Sequence, residues 1–317
     1  MHLPTKSVAE PPARPRGVSQ GLLTTFMACR RKAEIQLQGW RKIRPGAALL
    51  FGVVGHAVLA EAFQTLKEPP TKDWLKARLR QAVKDTAAEF EGRLSADAVQ
   101  NLENSAAILL VMLPYYFQKY KKDFGPASWV KIEDEFRVPF PGVSFELYGY
   151  FDRVKRVGGK LWLHETKTKS RVDEDYLMES LHFDFQLGYY LQALWLELKE
   201  VPAGVVYDIL RNPGLEQKKS ESFDDYLKRI EADVKKRPEF YFIRFEVKIG
   251  KKEVEEFAEQ IRIIGGEFEA WKRGELKTFR NTTACKGLWT CDFLPICSRD
   301  DYSGFFQKRS GRAPKKA

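Results

Sequence analysis

The stretch "GKLWLHETKTKS", residues 159–170, decides the fold class. Its apolar part, Leu161 to Leu163, predicts a strand that enters a core, yet the same strand continues into Glu165 and Lys167. Side chains two positions apart on a strand point to the same face, so this carboxylate and this ammonium project together. Charged groups are costly to bury unless something binds them. The stretch predicts a strand that ends at a binding or catalytic site.

The residues before this strand predict its partner. The segment "SFELYGYFDRVKRV", residues 144–157, alternates like a strand, and Gly158-Gly159 is typical of a two-residue hairpin turn. Such a hairpin brings Asp152 towards Glu165, and two carboxylates at a sheet edge form a site for a hard cation such as Mg²⁺ or Mn²⁺. Lys167 would hold a water and stabilise developing charge. A surface hairpin with an ordinary ion pair explains the same charges.

Helices and strands alternate along the rest of the chain. Helical spacing dominates the first half, in segments 19–36, 51–66, 73–93 and 96–120, and returns in 184–200, 220–239 and 253–274. Strand patterning appears from about residue 129, in segments 129–140, 144–157, 160–167, 203–212 and 240–249. This order predicts an α/β fold with a mixed central sheet flanked by helices.

Composition restricts the partners and the setting. The 317 residues carry a formal net charge of +10, which fits a polyanion such as nucleic acid, although a solvated basic surface gives the same value. The N-terminus has no signal-peptide pattern, and the longest apolar run, residues 47–63, is expected to be too short to span a membrane. We therefore expect a cytoplasmic protein, in which disulfides are rare.

The two predicted strands carry a family resemblance. "GYFDRV" followed by "LWLHETKT" resembles the G-x-x-D and (D/E)-x-K-T motifs of the PD-(D/E)xK nucleases, most closely their RecB-like exonuclease branch. Asp152, Glu165 and Lys167 fall on the catalytic positions of that pattern, with Glu-Thr-Lys-Thr where relatives often have Asp-Tyr-Lys-Thr. The resemblance implies a restriction-endonuclease-like mixed sheet with an inserted helical lobe.

Two further matches support this branch. "GVVGHAVLAE" resembles the early helix that carries a metal-binding histidine, which implies His56 as a third ligand beside Asp152 and Glu165. "FQLGYYLQAL" matches Q-x-x-x-Y at Gln186 and Tyr190, which lie one helical turn apart and in relatives support the site and contact DNA. Taken singly, a histidine on an apolar helix such as His56 is more often a core residue than a ligand. An acidic residue before the G-x-x-D strand falls on Glu135, with Glu133 as a competitor.

Four cysteines form the remaining pattern. Cys29 lies early, and Cys285, Cys291 and Cys297 follow late with five residues in each interval. Zinc sites usually contain a tighter cysteine pair, whereas four thiolates suit a [4Fe–4S] cluster. The layout resembles the iron–sulfur RecB-like nucleases, which include the CRISPR-associated exonuclease and the AddAB nuclease domain, and it implies an iron–sulfur staple that joins the two ends of the core. Zinc or four unligated thiols remain alternatives.

These patterns divide the chain into segments. We expect a disordered leader (1–17), N-terminal helices with the first cysteine and the histidine (18–65), a helical lobe (66–125), the nuclease core (126–280), a cysteine-rich segment (281–302) and a basic tail (303–317).

The resemblance implies a metal-dependent DNA exonuclease that acts on single strands or on DNA ends, in recombination, repair, replication or CRISPR adaptation. Arg30 and Arg31 are candidate DNA contacts, as are Lys32, Lys169 and Arg171. Helicase, recombination or CRISPR proteins are candidate partners. The alternatives are a DNA endonuclease and a non-catalytic DNA-binding or assembly factor with a nuclease-like fold.

Overall fold

The computed structural model describes residues 17–90, 93–124, 129–286 and 290–307, and every structural statement below concerns these ranges. Most of the expected leader, residues 1–16, and the last part of the expected tail, residues 308–317, lie outside them.

The helices of the first half lie where helical spacing predicts them. They are α1 (Gln20–Ala28), α2 (Arg30–Leu37), α3 (Ala47–Thr65), α4 (Lys72–Glu89) and α5 (Ala96–Lys119). The later helices are α6 (Glu174–Ser180), α7 (Phe185–Leu198), α8 (Phe223–Lys236), α9 (Pro238–Tyr241), α10 (Lys251–Lys272) and α11 (Leu294–Arg299).

A six-stranded mixed sheet forms the centre of the molecule, which confirms the predicted α/β class. Its strands are β1 (Gly17–Ser19), β3 (Trp129–Pro139), β4 (Glu146–Val157), β5 (Lys160–Lys169), β6 (Gly204–Arg211) and β7 (Phe242–Lys248). The order is β1-β4-β5-β6-β7, and β3 pairs with the other side of β4. A two-stranded sheet joins β2 (Trp40–Lys42) to β8 (Phe305–Gln307).

The predicted hairpin connects β4 to β5. Val157 pairs with Lys160 across Gly158 and Gly159, whose φ angles are +56° and +79°. Glycine tolerates this left-handed backbone at both central positions of the turn. The turn sets the register that determines which residues of the two strands face each other.

The sheet opens at the point where β4 and β5 separate. The two strands pair antiparallel only from Val157 and Lys160 as far as Arg153 and His164, after which β5 continues beside β6 alone. The residues directly beyond the last pair are Asp152 on β4 and Glu165 on β5. Strand separation therefore places the two predicted carboxylates at one opening.

Each face of the sheet has its own hydrophobic core. One core packs α1, α7 and α10 against β4 and β5, and includes Leu161, Leu163 and Leu187. The other core packs α3, α4, α5 and α8 against the opposite face. Alternation along β5 divides its side chains between the two cores, so that Glu165 and Lys167 lie on the α7 side.

Three local features differ from the sequence expectations. The helix expected over 19–36 breaks into α1 and α2, because Cys29 has an extended backbone (φ −163°, ψ 113°). The segment 305–307, expected in the basic tail, forms β8 and buries Phe306. Helix α3, at 19 residues, is long and apolar enough to cross a membrane by length and composition alone, which corrects the expectation of too short a run. Such a signal is weak, since core helices share it, and α3 packs its buried face into the second core.

Candidate active site

Asp152 is fixed at the opening by the strand that carries the other site residues. The backbone N–H of Thr166 donates a 2.8 Å hydrogen bond to Asp152 Oδ2 across the gap between β4 and β5. This N–H has lost its ladder partner because the strands have separated, and a carboxylate takes the partner's place. The middle residue of Glu-Thr-Lys thus orients the carboxylate of the neighbouring strand.

Helix α3 brings His56 to this carboxylate. A Cβ atom at Gly52 would lie 2.8 Å from Thr168 Oγ1, so the absence of a side chain lets the helix pass close to the end of β5. One turn later, His56 Nδ1 lies 3.5 Å from Asp152 Oδ2. The predicted partnership of His56 with Asp152 is therefore present in the structure.

Glu133 joins these two residues. Ligand atoms of His56, Glu133 and Asp152 all lie within 4.8 Å of one another, as is needed to hold one cation. Glu133 has a left-handed backbone (φ +46°) in the middle of β3, which is unusual for a residue other than glycine. By strand register it lies opposite Asp152, since Ile132 pairs with Arg153 and Asp134 with Phe151.

The sequence favoured Glu135 over Glu133 for this role, and the structure reverses the order. Glu135 binds the hydroxyl of Tyr150 at 2.7 Å and the guanidinium of Arg137 at 2.8 Å. The acidic run at 133–135 was a usable signal, but only the pairing of β3 with β4 shows which of its members faces Asp152.

Glu165, Lys167 and Gln186 form a closed triangle of hydrogen bonds. Lys167 Nζ donates to Glu165 Oε1 (2.6 Å) and to Gln186 Oε1 (2.9 Å). Gln186 Nε2 donates to the same Glu165 oxygen at 2.7 Å. The second oxygen, Glu165 Oε2, is buried and has no hydrogen-bond partner within the described residues. A buried carboxylate oxygen without a partner is a position that a cation can occupy.

Burial controls the charge of this group. The Glu165 side chain is 2% exposed, and burial first, then the nearby Asp152 carboxylate, raises the pKa of Glu165 to about 7. Lys167 and His56 act in the opposite direction and do not overcome the effect. Near neutral pH, Glu165 is therefore poised between its protonated and ionised forms, and a bound cation would favour the ionised form.

The neighbours of Glu165 also have shifted pKa values. Burial disfavours the charged forms of Asp152, His56 and Lys167, but each has an opposite charge close by that outweighs it. His56 and the Thr166 N–H lower the pKa of Asp152, while Asp152 raises the pKa of His56. Glu165 raises the pKa of Lys167. The pocket thus keeps a lysine ammonium beside a pair of carboxylates.

Helix α7 supplies the remaining predicted residues. Asp184 accepts a 3.0 Å hydrogen bond from the N–H of Leu187, which caps the helix and points Gln186 of its first turn at Glu165. Tyr190 lies one turn further, with its ring packed against Phe136 and Phe151. Burial, with Glu165 and Asp152 close by, raises the pKa of Tyr190. The structure brings both residues to the site, where Gln186 binds the charged groups and Tyr190 forms part of the wall.

A buried ionic network supports β5 from its other face. Arg153 Nη2 donates to Thr166 Oγ1 (2.8 Å) and to Asp208 Oδ2 (3.1 Å), and Arg244 Nη2 binds Asp208 at 2.9 Å. His164 lies on this face as predicted, with its ring 5.0 Å from that of Trp129, and is not one of the grouped ligands. The network was not predicted from sequence because its members come from four separate strands.

The four cysteines converge although they are far apart in sequence. The N–H of Asn281 lies 3.5 Å from Cys29 Sγ, and Cys285 Sγ lies 3.5 Å from the carbonyl oxygen of the same Asn281. Burial first, and then Cys291, Cys29 and Cys297, raise the pKa of the Cys285 thiol, which places all four thiols in one neighbourhood. All four are free thiols.

The two predicted DNA-contact arginines lie near this cysteine cluster and already have protein partners. Arg30 packs over the rings of Phe26 and Phe279 and binds the carbonyl oxygen of Lys277 at 3.3 Å. Arg31 binds Glu34 at 2.6 Å. Their role in DNA binding remains a prediction.

A known protein family matches most of the chain. The sequence profile of the PD-(D/E)XK nuclease superfamily matches residues 17–298. The chain is also similar in fold to a crystal structure of a "Putative exonuclease" from Eubacterium rectale. The superposition covers 100% of this chain and 96% of the other, with 15% sequence identity and a TM-score of 0.49. No match was found among curated proteins.

Proposed function

Because the chain belongs to the PD-(D/E)XK nuclease superfamily, we propose that it is a metal-dependent deoxyribonuclease that hydrolyses phosphodiester bonds at the opening between β4 and β5. One observation carries the proposal. Asp152, Glu165 and Lys167, the residues on the family motif, meet at the opening with a buried carboxylate oxygen that lacks a partner.

The donor set fits Mg²⁺ or Mn²⁺. Both ions take carboxylate oxygens, and Mn²⁺ also accepts imidazole nitrogen. His56, Glu133 and Asp152 offer three donors within 4.8 Å of one another. Glu165, which the resemblance implied as a ligand, is not in this group, but its buried Oε2, which has no partner among the described residues, is a further candidate oxygen. When bound there, the cation supplies positive charge beside the scissile phosphate.

Lys167 is the side chain that would act directly on the attacking water and the phosphate. Its ammonium is held at 2.6 Å from Glu165 and at 2.9 Å from Gln186, so its direction is fixed before substrate arrives. A fixed ammonium orients the attacking water and stabilises the negative charge that develops on the phosphate oxygens. Gln186 keeps both charged groups aligned.

We further propose an exonuclease of the RecB-like branch that acts on single strands or on DNA ends. The order of His56, Asp152, Glu165-x-Lys167 and Gln186-x-x-x-Tyr190 supports this branch, and the net charge of +10 supports a DNA substrate. Recombination, repair, replication or CRISPR adaptation in the cytoplasm, with a helicase or adaptation protein as partner, is the corresponding setting.

A [4Fe–4S] cluster on Cys29, Cys285, Cys291 and Cys297 belongs to the same proposal. Among the described residues, the cysteines do not form a group whose sulfur atoms lie within 4.8 Å of one another. Four thiolates on one zinc ion would lie about 3.8 Å apart, since each Zn–S bond is about 2.3 Å. This spacing is too wide for one zinc ion and fits either a larger metal cluster or four unligated thiols. A brown anaerobic preparation with about four iron atoms per chain supports it, and stoichiometric zinc refutes it.

The decisive test compares linear and circular DNA. The purified chain with Mn²⁺ should progressively degrade end-labelled single-stranded DNA, and Lys167→Ala should abolish this while keeping the circular dichroism spectrum. Lys160→Ala, an exposed lysine at the start of β5, is the matched control and should retain activity. Discrete products from closed circular DNA would instead indicate an endonuclease. DNA binding without any cleavage would indicate an assembly factor.

A further inference from the structure

Large apolar side chains are exposed on both elements that flank the end of β5. Leu49 (59% exposed) and Val53 (38%) lie on α3, and Phe183 (64%) lies directly before α7. Tyr176 (65%) and Met178 (59%) are also exposed on α6, which ends shortly before Phe183, and we name these five residues the apolar rim. Of the twelve exposed large apolar residues of the described chain, five belong to the rim. Exposed apolar side chains beside a catalytic opening are candidates for a binding surface.

On the α3 side, the rim residues lie on the same helix as the catalytic-pocket residue His56. Leu49, Val53 and His56 are spaced at i, i+4 and i+7, so they share one face of α3. Between them, Gly52 lies against Thr168 at the end of β5. The exposed apolar face of α3 therefore runs directly into the metal ligands.

The other side begins at α7. Phe183 precedes Gln186 by three residues, so their Cα atoms are at most about 11 Å apart. Asp184, which follows Phe183, is close enough to Lys167 to raise its pKa. Phe183 thus lies three residues from Gln186, which binds the lysine that we propose faces the scissile phosphate.

Cationic groups lie between the two sides. Lys167 and Lys169 point to one face of β5, and the exposed Arg171 follows them. The first turn of α6 is acidic, with Glu174 and Asp175, and would repel phosphate on that side. A sugar–phosphate backbone is therefore favoured along the lysines, which leaves the bases to contact the apolar side chains.

We propose that the apolar rim, with Phe183 as its principal contact, binds the unpaired bases of a single-stranded DNA segment whose phosphate enters the pocket. This inference rests on the proposed nuclease function and identifies its substrate as single-stranded at the site. Bases in a duplex stack on each other and cannot present their faces to side chains, whereas unpaired bases can.

The test measures binding by fluorescence anisotropy with the full chain, in chelator so that no DNA is cut. The probes are a labelled single-stranded oligonucleotide and one of equal length with a run of abasic sites. The wild type should bind the base-bearing probe about tenfold or more tightly. Phe183→Ala should lose most of this preference while its affinity for the abasic probe stays unchanged. Ile263→Ala, at a residue of α10 that is 58% exposed, is the matched control.

Two results would overturn the inference. One is an unchanged base preference in Phe183→Ala, or equal weakening with both probes. The other is evidence that the rim serves self-association. In that case light scattering would show a concentration-dependent dimer, and Phe183→Ala would abolish the dimer but keep the preference for the base-bearing probe. A separate cleavage assay of the wild type with Mn²⁺ keeps the two proposals distinct. If the wild type cleaves DNA but shows no preference for the base-bearing probe, only the proposal about the rim is refuted. If it shows the preference but does not cleave, only the nuclease function is refuted.

Discussion

Replacing Glu165 by glutamine should change how the stability of the metal-free protein depends on pH. The carboxyl group is 2% exposed, and burial, with Asp152 nearby, raises its pKa from 4.5 to about 7. In the unfolded chain the group is solvated and titrates near its usual value. The folded state therefore holds this proton more tightly than the unfolded state does.

The sign of the effect follows from this difference. A raised folded-state pKa stabilises the folded protein fully below about pH 4.5, and this stabilisation is lost as the pH rises through about 7. Between pH 5 and pH 8, the loss amounts to about 2 to 3 kcal/mol. Glutamine has the same shape, accepts hydrogen bonds from the same donors and does not titrate, so the variant lacks this loss.

Urea unfolding in chelator, followed by circular dichroism at pH 5 and pH 8, measures the effect. The free energy of unfolding of Glu165→Gln, relative to the wild type, should rise by about 2 to 3 kcal/mol between the two pH values. Glu246→Gln, which removes an exposed carboxylate from β7, is the control for the loss of one negative charge. Parallel pH profiles of Glu165→Gln and wild type would refute the burial of an ionisable carboxylate at the site.

Added Mn²⁺ gives a second arm of this experiment. At pH 8 the wild type should gain more stability from saturating Mn²⁺ than Glu165→Gln does, because only the wild type has the Glu165 charge for the cation to neutralise in addition to that of Asp152. In the wild type itself, the Mn²⁺ affinity measured by calorimetry should fall as the pH is lowered through 7, since Glu165 then takes up a proton. An equal gain in both proteins would show that Glu165 does not contact the cation.

Three further substitutions test individual contacts. Glu133→Gln should weaken Mn²⁺ binding by about tenfold or more in calorimetry, whereas Asp134→Asn, outside the grouped ligands, should not; equal affinities would remove Glu133 from the site. Gly188→Ala would place a Cβ 2.0 Å from the ring of Phe257 and should lower the urea midpoint, with a cost of about 1 to 3 kcal/mol; an unchanged midpoint would contradict this packing. Arg153→Met leaves part of a buried ionic network unpaired and should cost about 3 to 5 kcal/mol in the same assay, and a neutral result would show that the network is solvated.

Local patterning was sufficient to predict much of the fold. The hairpin needs only two glycines between alternating segments, and the helices over 51–66 and 96–120 need only apolar spacing, so these elements lie close to their predicted bounds. The break at Cys29 was missed because the extended backbone there is accompanied by contacts with residues 279 and 281. Hydrophobic periodicity reports only local spacing and does not show contacts with residues so far away in sequence. The strand 305–307 was missed for the same reason, since its partner, Trp40–Lys42, lies far away in sequence.

The sequence by itself predicted which groups would carry the chemistry and in what order, through its resemblance to a nuclease family. Asp152, Glu165 and Lys167 are local to one hairpin, and strand alternation alone places the last two on one face. Only the tertiary structure decided that Glu133 rather than Glu135 joins them, that the Thr166 N–H holds Asp152, and that one oxygen of Glu165 is buried without a partner. The physical reason is that these properties depend on where β4 leaves β5 and on what packs over the gap. Strand separation, burial and unsatisfied hydrogen bonds arise between segments that are distant in the sequence.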